Sequence, residues 1–156
     1  GDGITELPRA VLMAGYKDTS SSDAVYMLDW YAYGIGKVPT KVATTYQNIS
    51  DAWSLLIDQK WHDRITAIKA NDGGLSYVEF FEYRKNKMSI PLFNIYCATG
   101  SNREYYAERT DLIQLGQTTQ AIYFAKLTNE GEQSELALTG DEIKARFSLV
   151  NQAWNN

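Results

Sequence analysis

Two stretches in the first half of the chain have apolar residues at the three- and four-residue spacing of an amphipathic helix. The first, over residues 20–33, opens with N-cap serines and is followed by Val25, Leu28 and Ala32. The second, over residues 48–61, opens with Asn48 and carries the apolar stripe Trp53, Leu56, Ile57 and Trp61. The pattern therefore predicts two N-terminal helices, preceded by an irregular segment over residues 1–20.

From residue 65 onward the spacing changes to the alternation typical of β-strands. Strands are predicted at residues 65–70, 75–85, 90–98, 112–117 and 120–127. A tight hairpin turn at residues 71–74 joins the first two, since its glycines accept positive φ. Residues 102–109 are expected to form a short helix. The five strands are predicted to form an antiparallel meander.

The end of the chain carries a strong helix-start signal. Residues 128–138 are polar and acidic, so we expect a surface loop there, with a short extended piece at residues 136–138. Thr139 and Glu142 then form a capping box, which opens a final helix with the buried stripe Ile143, Phe147, Val150 and Trp154. The predicted fold class is α+β: two N-terminal helices, a five-stranded antiparallel meander sheet and a closing C-terminal helix, all in one domain over residues 1–156.

Composition and charge narrow the classes of partner. Apolar residues make up 44% of the 156-residue chain and charged residues 22%, as in ordinary globular domains. The formal charge is −4 and the pI is near 5.0, so the protein has no overall positive field. This balance argues against a nucleic-acid or anionic-membrane binder, although a local basic patch is compatible with it.

The termini and cysteine usage bear on location. The chain opens Gly1-Asp2-Gly3 without an initiator Met. This start indicates residues left from a purification tag, joined to a protein whose own N-terminal segment was removed. Trimming commonly removes a signal peptide or an anchor, so we expect an extracytoplasmic domain, secreted or anchored at the cell envelope. Cys97 is the single cysteine, so no internal disulfide forms. The apolar stretch at residues 10–14 is too short to cross a bilayer.

Few residues point to catalysis or to a cofactor. His62 is the only histidine, and its spacing from Asp58 indicates a surface pair rather than a metal site. Cys97 lies in a predicted strand among apolar residues and is expected to be a small buried hydrophobe. No phosphate-binding or dinucleotide-binding fingerprint is present. We therefore expect no cofactor, no metal ion and no catalytic residues, and a binding role is favoured over an enzymatic one.

Both faces of the predicted sheet carry apolar residues. Strand 75–85 places Tyr77, Glu79, Phe81 and Tyr83 on one side, and Val78, Phe80 and Glu82 on the other. A sheet with one solvated face would instead alternate apolar with polar residues. Either helices cover much of both faces, or the second face surrounds a pocket or docks on a partner.

The most unusual feature of the composition is the high content of aromatic residues, with 11 Tyr and 4 Trp. Tyr and Trp combine a flat apolar face with a polar group, which suits stacking on sugar rings or anchoring a protein interface. The predicted binding residues are Tyr77, Phe81, Tyr83 and Tyr96, with Arg103, Tyr105 and Tyr106 at the rim. The ligand would be a protein or a cell-wall glycan. Two simpler interpretations stay open: the rings only line the core, or the uncovered face forms a homodimer.

An alternative is a small-molecule pocket protein with a cone-shaped fold similar to nuclear transport factor 2. Helices preceding a strongly curved antiparallel sheet are what that fold needs, and Glu79 would then be the acid/base residue of an enzyme. It requires an enclosed pocket with an acid pointing inward, away from any cation. The closing helix counts against it, since that fold normally ends in a strand.

The second half of the chain also carries a resemblance. The stretches are residues 90–104, 111–115, 121–127 and the capped helix over residues 143–154. Together they are similar to the C-terminal half of small exported or lipid-anchored domains of Gram-positive bacteria, which have no assigned activity. The resemblance implies a location at the cell envelope and no reaction, and it assigns no functional residues.

Overall fold

The computed structural model describes residues 5–16, 23–72, 75–101 and 103–150, which form two antiparallel sheets of five strands each. The strands of sheet 1, in pairing order, are β1 (Thr5–Leu12), β2 (Tyr26–Tyr33), β3 (Thr40–Asn48), β4 (Trp53–Leu56) and β10 (Phe147–Leu149). Those of sheet 2, in pairing order, are β5 (Ile65–Asp72), β6 (Leu75–Arg84), β7 (Lys87–Thr99), β9 (Ala121–Leu127) and β8 (Ile113–Gln117). The helices are α1 (Arg103–Ala107), α2 (Gly140–Arg146) and two short 3₁₀ helices, Gln59–Trp61 and Gly131–Gln133.

The fold is therefore mostly β, and the predicted α+β class with two N-terminal helices is wrong. The first expected helix is β2 from Tyr26 onward. Its burial alternates along the chain, with Met27 and Asp29 buried and Leu28 and Trp30 only half-buried, which is the period of a strand. Val25, Leu28 and Ala32 match helical spacing by coincidence, whereas the aromatic residues around them favour a pleated surface. Residues 20–22 of that expected helix lie outside the described residues.

The second expected helix is replaced by a turn and a short strand. The Asn48 side chain donates to Asp51 Oδ2 (2.9 Å) and accepts from the Asp51 backbone N–H (3.2 Å), so the supposed helix cap is a tight turn. Ala52 follows with a φ of 55°. Trp53 and Leu55 are then buried on one face of β4, while Leu56 is exposed. Residues of the Asx type support both turns and helix starts, so local sequence does not separate the two.

The predicted strands of the second half are confirmed, but their order is not that of a meander. Each of the five predicted strands corresponds to one strand of sheet 2, and β5, β6 and β7 are joined in sequence. After α1, however, β9 pairs with β7 and β8 takes the outer edge. The predicted turn includes Gly73 and Gly74, which lie outside the described residues.

The closing helix begins as predicted but ends early. Thr139 and Glu142 form the capping box, with the Glu142 N–H donating to Thr139 Oγ1 (3.2 Å) and the Thr139 N–H donating to Glu142 Oε2 (2.8 Å). The helix stops at Arg146, because Phe147 begins β10 and pairs with the open edge of β4. The Phe147 ring packs 5.8 Å from Trp53, centroid to centroid. Residues 151–156 of the predicted helix lie outside the described residues.

The expected surface loop at residues 128–138 is instead partly buried. Leu136 and Leu138 belong to the main hydrophobic cluster, and Ser134 is also buried. The Trp61 indole Nε1 donates to the Leu136 carbonyl oxygen (3.3 Å). This hydrogen bond holds the segment against the main hydrophobic cluster, to which both residues belong. Two leucines among polar residues were a weak signal for burial, and no strand forms at residues 136–138.

The main core lies between the two sheets. Tyr46 of β3 packs against Phe80 of β6 with ring centroids 5.4 Å apart, and Phe80 stacks on Phe93 of β7 at 4.8 Å. Tyr123 of β9 meets Phe147 of β10 at 5.6 Å. Sheet 1 therefore covers the inner face of sheet 2, a role that the sequence assigned to helices. Neither α-helix in the described ranges has the length and apolar character needed to cross a bilayer.

Candidate functional site

The outer face of sheet 2, which points away from sheet 1, carries the residues that the sequence singled out. Alternation along β6 directs Val78, Phe80 and Glu82 into the core, where all three are buried. It directs Tyr77, Glu79 and Phe81 outward, where all three are half-buried. The predicted division of these side chains between two faces is thus correct, and the outward set is not sealed by another sheet.

Tyr77 and Tyr96 form the centre of this face. They are direct cross-strand partners on β6 and β7, and their ring centroids lie 5.3 Å apart at an interplanar angle of 35°. The Asn94 amide donates to the Tyr96 hydroxyl (3.0 Å) and makes a longer bond to Glu79 Oε1 (3.4 Å). The ring pair therefore has a polar edge that both donates and accepts hydrogen bonds.

A groove lies beside Tyr96, where α1 and the segment after it pack on the outer face. Ala98, Ile122 and Phe124 are buried there and form a second, smaller hydrophobic cluster. The groove has a volume of about 170 Å³ and is lined by Leu75, Tyr96, Tyr106, Arg109, Leu112, Phe124 and Lys126. Its walls are apolar and aromatic, and the charged side chains come from two of the seven lining residues.

Asp111 binds both of those cations beside the groove. Its carboxylate accepts from Arg109 Nε (2.9 Å) and Nη2 (2.6 Å), and it pairs with Lys126 Nζ at 3.1 Å. The hydrogen bonds from Arg109, and then from Lys126, hold the pKa of the Asp111 carboxyl well below its usual range. Asp111 is therefore an anion at neutral pH, and it fixes the direction of the two cationic side chains.

The three residues predicted for the rim have different positions. Arg103 Nη1 donates to the Gly100 carbonyl oxygen (3.0 Å), so its role is to hold the start of α1 against the preceding turn. Tyr106 lines the groove, and its ring meets that of Tyr105 edge-on at 5.7 Å. Tyr105 itself is 64% exposed and is not part of the lining.

Phe81 and Tyr83 do not join the central pair. Phe81 lies on the same face four residues along β6 from Tyr77, a separation of roughly 13 Å. It is flanked by its strand partners Thr66 and Pro91. The Tyr83 ring packs on Gly15 in the connection between β1 and β2, where an added Cβ would lie 2.9 Å from the ring. The structure thus brings together Tyr77, Tyr96 and Tyr106 of the seven predicted residues.

Five groove residues were not among the predicted binding residues: Leu75, Arg109, Leu112, Phe124 and Lys126. A signal for Phe124 existed, because residues 121–125 are an unbroken apolar run, and such a run is typical of a strand covered on both faces. The remaining four residues come from β6, from β9 and from the segment after α1, and they meet only because α1 returns the chain across β9. No local pattern indicates that return.

The other groups that were considered for chemistry have structural partners. Asp58 accepts from the Lys60 N–H (3.0 Å) at the start of a 3₁₀ helix and pairs with Arg146 (3.0 Å). Cys97 is 3% exposed, and burial raises the pKa of its thiol to about 11, so it is protonated at neutral pH. Within the described ranges no group of three or more His, Cys, Asp or Glu side chains is placed to hold a metal ion.

The cone-shaped alternative required helices before the sheet and an unpaired acid facing inward. Where it needed helices, the described residues form β2, β3 and β4. The inward acid of β6 is Glu82, which accepts hydrogen bonds from Arg64 and Arg84, while Glu79 lies on the outer face. The inner face of sheet 2 is packed against sheet 1 in the main hydrophobic cluster.

Comparisons of the chain with protein-family models, with curated proteins and with solved structures find no match. The resemblance to small exported domains of Gram-positive bacteria therefore stays a prediction.

Proposed function

We propose that the protein is a non-enzymatic binding module that takes one sugar ring of a glycan into the groove between α1 and sheet 2. The observation that supports this proposal is the position of a small aromatic groove directly beside the Tyr77–Tyr96 ring pair. The C–H face of a sugar ring is apolar and flat, and aromatic side chains offer a matching surface. Its hydroxyl groups need hydrogen-bond partners around that surface.

The polar groups around the groove suit a sugar better than a wholly apolar ligand. Asn94 donates and accepts, Arg109 and Lys126 donate, and Asp111 accepts. Because Arg109 and Lys126 are already bound to Asp111, a ligand with a full negative charge would have to compete for them. A neutral hydroxyl can bind to the remaining donor and acceptor positions without breaking these ion pairs.

The volume of the groove limits the size of the unit that enters it. Pockets that bind drug-sized ligands have volumes of about 300–1,000 Å³. At about 170 Å³ this groove accommodates a single ring or side chain rather than a whole multi-ring ligand. The rest of a glycan chain would run outside the groove and over the Tyr77–Tyr96 pair.

The ionisation of Asp111 argues against Asp111 as the acid of a glycoside hydrolase. Hydrolysis requires a carboxylic acid that still carries its proton at the working pH. The lowered pKa of Asp111 leaves it without that proton, and its two cationic partners occupy its oxygens. A location at the cell envelope, which stays a prediction, would supply wall glycans as ligands.

Adjacent tyrosines on α1 provide a matched test. We expect Tyr106→Ala to weaken glycan binding at least about tenfold, because a lining ring is removed. Tyr105→Ala should leave binding unchanged, because Tyr105 is exposed and lies outside the groove. Binding would be measured by saturation-transfer NMR and calorimetry against a panel of neutral oligosaccharides and cell-wall fragments, with unfolding curves for both variants.

Two results would contradict the proposal. One is a panel in which no glycan binds the wild-type protein while peptides with aromatic or aliphatic side chains bind in a Tyr106-dependent way. That result would assign the groove to a protein partner. The other is equal loss of binding in Tyr105→Ala and Tyr106→Ala, which would place the ligand away from the groove.

A further inference from the structure

The far end of sheet 1 forms an arm with an unusual concentration of exposed apolar side chains. The arm consists of residues 5–10 of β1, 30–33 of β2, 40–43 of β3 and the connection at residues 34–39. Residues 5–10 and 33–42 are exposed throughout, so neither face of this end of the sheet is fully covered. The large hydrophobic residues exposed there are Leu7, Tyr33, Ile35, Val38 and Val42.

The tip of the arm is the most exposed apolar point among them. Ile35 is 105% exposed and Val38 is 85% exposed. Ile35 stands between Gly34 and Gly36 in a turn closed by the Lys37 N–H donating to the Gly34 carbonyl oxygen (3.1 Å), with a φ of 70° at Gly36. Turns of this kind favour Gly, Asn, Asp, Ser and Pro. An isoleucine there contributes no packing to the fold, since its side chain is fully in water.

The charge of the arm is opposite to that of the whole protein. Arg9, Lys37 and Lys41 are its cations and Glu6 is its acid, a net charge of +2 in a chain of −4. Asp29, the strand partner of Arg9, lowers this local charge to +1 at the base of the arm. Lys41 pairs with Asp29 at the base of the arm (2.7 Å). Lys37 lies in the tip itself, between the two exposed aliphatic residues. The arm is thus a local basic patch in a protein whose overall charge is negative.

The exposure, apolar tip and charge together fit a lipid surface better than a protein pocket. The tip is an exposed turn with two aliphatic side chains, a lysine between them and Tyr33 directly before the turn. Tyrosine and lysine are the residues that settle at the headgroup level of a bilayer, while aliphatic side chains enter the acyl boundary. A lysine near an anionic surface adds electrostatic attraction.

We propose that the arm is a membrane-contacting element, in which the turn at residues 34–39 inserts Ile35 and Val38 into the interface of a bilayer with anionic headgroups. Lys37 would lie among the lipid phosphates, and Tyr33 would lie at headgroup depth. This proposal does not depend on the glycan groove, because it involves other residues on the other sheet.

Vesicle binding by the full chain tests the proposal. We expect the wild-type protein to float with phosphatidylcholine vesicles that contain phosphatidylglycerol, and to bind pure phosphatidylcholine vesicles more weakly. The double variant Ile35→Ser with Val38→Ser should lose roughly tenfold or more of the partition coefficient. Lys37→Gln should lose about fivefold on the anionic vesicles and little on the neutral ones.

The matched control is Ile49→Ser. Ile49 is also an exposed isoleucine in a turn, at 72%, but it follows the opposite end of β3, about 30 Å from the arm tip along the strand. It should bind vesicles as the wild-type protein does. Because the replaced side chains are exposed, thermal unfolding of all variants should match the wild type.

A second measurement locates the tip. In Ile35→Cys the new thiol can carry an environment-sensitive dye, while Cys97 is 3% exposed and stays unlabelled. A blue shift with anionic vesicles would support insertion. The proposal is overturned if the wild-type protein ignores both vesicle types, or if the double variant binds as well as the wild type. Concentration-dependent dimerisation that the double variant abolishes, without vesicle binding, would instead assign the arm to self-association.

Discussion

The two faces of sheet 2 have nearly the same composition but different surroundings. On β6, Phe80 and Phe81 are consecutive, yet Phe80 is fully buried against sheet 1 and Phe81 is only half-buried. The inner face is covered by sheet 1 and, at the end that carries Glu82, by the segment of Ser134 and Leu136. Among the described residues, α1 and the segment after it cover part of the outer face by packing on β7 and β9. Aromatic content by itself therefore does not distinguish a core face from a binding face.

The two glutamates of β6 also differ in their surroundings, because Glu82 lies on the inner face and Glu79 on the outer face. Glu82 is 0% exposed and accepts hydrogen bonds from Ser134 Oγ (2.6 Å), Arg64 Nη2 (3.2 Å) and Arg84 Nε. Glu79, on the other face, accepts one long hydrogen bond from Asn94 (3.4 Å) among the side chains that the structure describes. A buried carboxylate needs several donors to offset its desolvation, whereas a half-exposed one keeps acceptor capacity for water or a ligand. Hydrogen-bond saturation therefore separates the core face of β6 from the face that we propose binds a ligand.

The largest expected effect compares the two phenylalanines. Phe80→Ala should lower the free energy of unfolding by about 3–5 kcal/mol, because it leaves a cavity between the sheets. Phe81→Ala should lower it by about 1–2 kcal/mol, because its ring is already partly in water. Urea unfolding of both variants measures the difference, and equal losses would show that the outer face is as closed as the inner one.

A smaller effect is expected for the two glutamates. Glu82→Gln should lower the free energy of unfolding by about 1–3 kcal/mol at pH 7, because an amide group then faces Arg64, Arg84 and Ser134. Glu79→Gln should change it by less than about 0.5 kcal/mol. The ligand affinity of Glu79→Gln should also be close to that of the wild type, because the glutamine amide oxygen keeps a hydrogen-bond acceptor at this position.

The cost of Glu82→Gln should depend on pH. Desolvation raises the pKa of Glu82, but the hydrogen bonds from Ser134, Arg84 and Arg64 outweigh it, and the pKa lies below its usual value. A carboxyl with a lowered folded-state pKa contributes stability above its unfolded pKa and loses it as pH falls through the folded value. The difference between wild type and variant should therefore shrink below about pH 4.3. A constant difference from pH 7 to acid would contradict this account.

The smallest effect is expected for Tyr96→Phe. This change keeps the ring beside Tyr77 but removes the hydroxyl that accepts from Asn94. The free energy of unfolding should fall by about 0.5 kcal/mol, because Asn94 is half-buried and can bind water instead. Differential scanning calorimetry would measure it. A loss above about 2 kcal/mol would show that the outer face carries a buried polar network like that of Glu82.

The sequence predicted sheet 2 well and sheet 1 not at all. In residues 65–127 the alternation is regular and bounded by turn residues, so local pattern and final pairing agree. In residues 26–33 and 53–56 the apolar spacing also fits a helix, and only burial against sheet 2 selects the strand. Tertiary contacts also decide the conformation of Phe147. It was predicted to lie in a helix, but it forms a strand because it pairs with the free edge of β4.

Part of the candidate site could be predicted, because the regular strand alternation of sheet 2 is visible in the sequence. Tyr77 and Tyr96 were found because strand alternation shows which side chains share a face. Tyr106 was found from its aromatic neighbours, but its separation from Tyr105 depends on how α1 lies on the sheet. Tyr83 was misplaced because the connection that carries Gly15 packs against its ring. A contact between distant segments leaves no periodic signal in either of them.

What the amino-acid sequence determined by itself was local: the strands of sheet 2, the opposite facing of their side chains, the capping box at Thr139 and the absence of a disulfide. These properties follow from neighbouring residues and from the geometry of the backbone. The tertiary structure decided that a second sheet covers the inner face, that α1 forms a groove on the outer face, and that the arm of sheet 1 stays exposed. The reason is that burial free energy depends on contacts between segments far apart in the chain, and it outweighs helix and strand propensities that differ by about 1 kcal/mol or less.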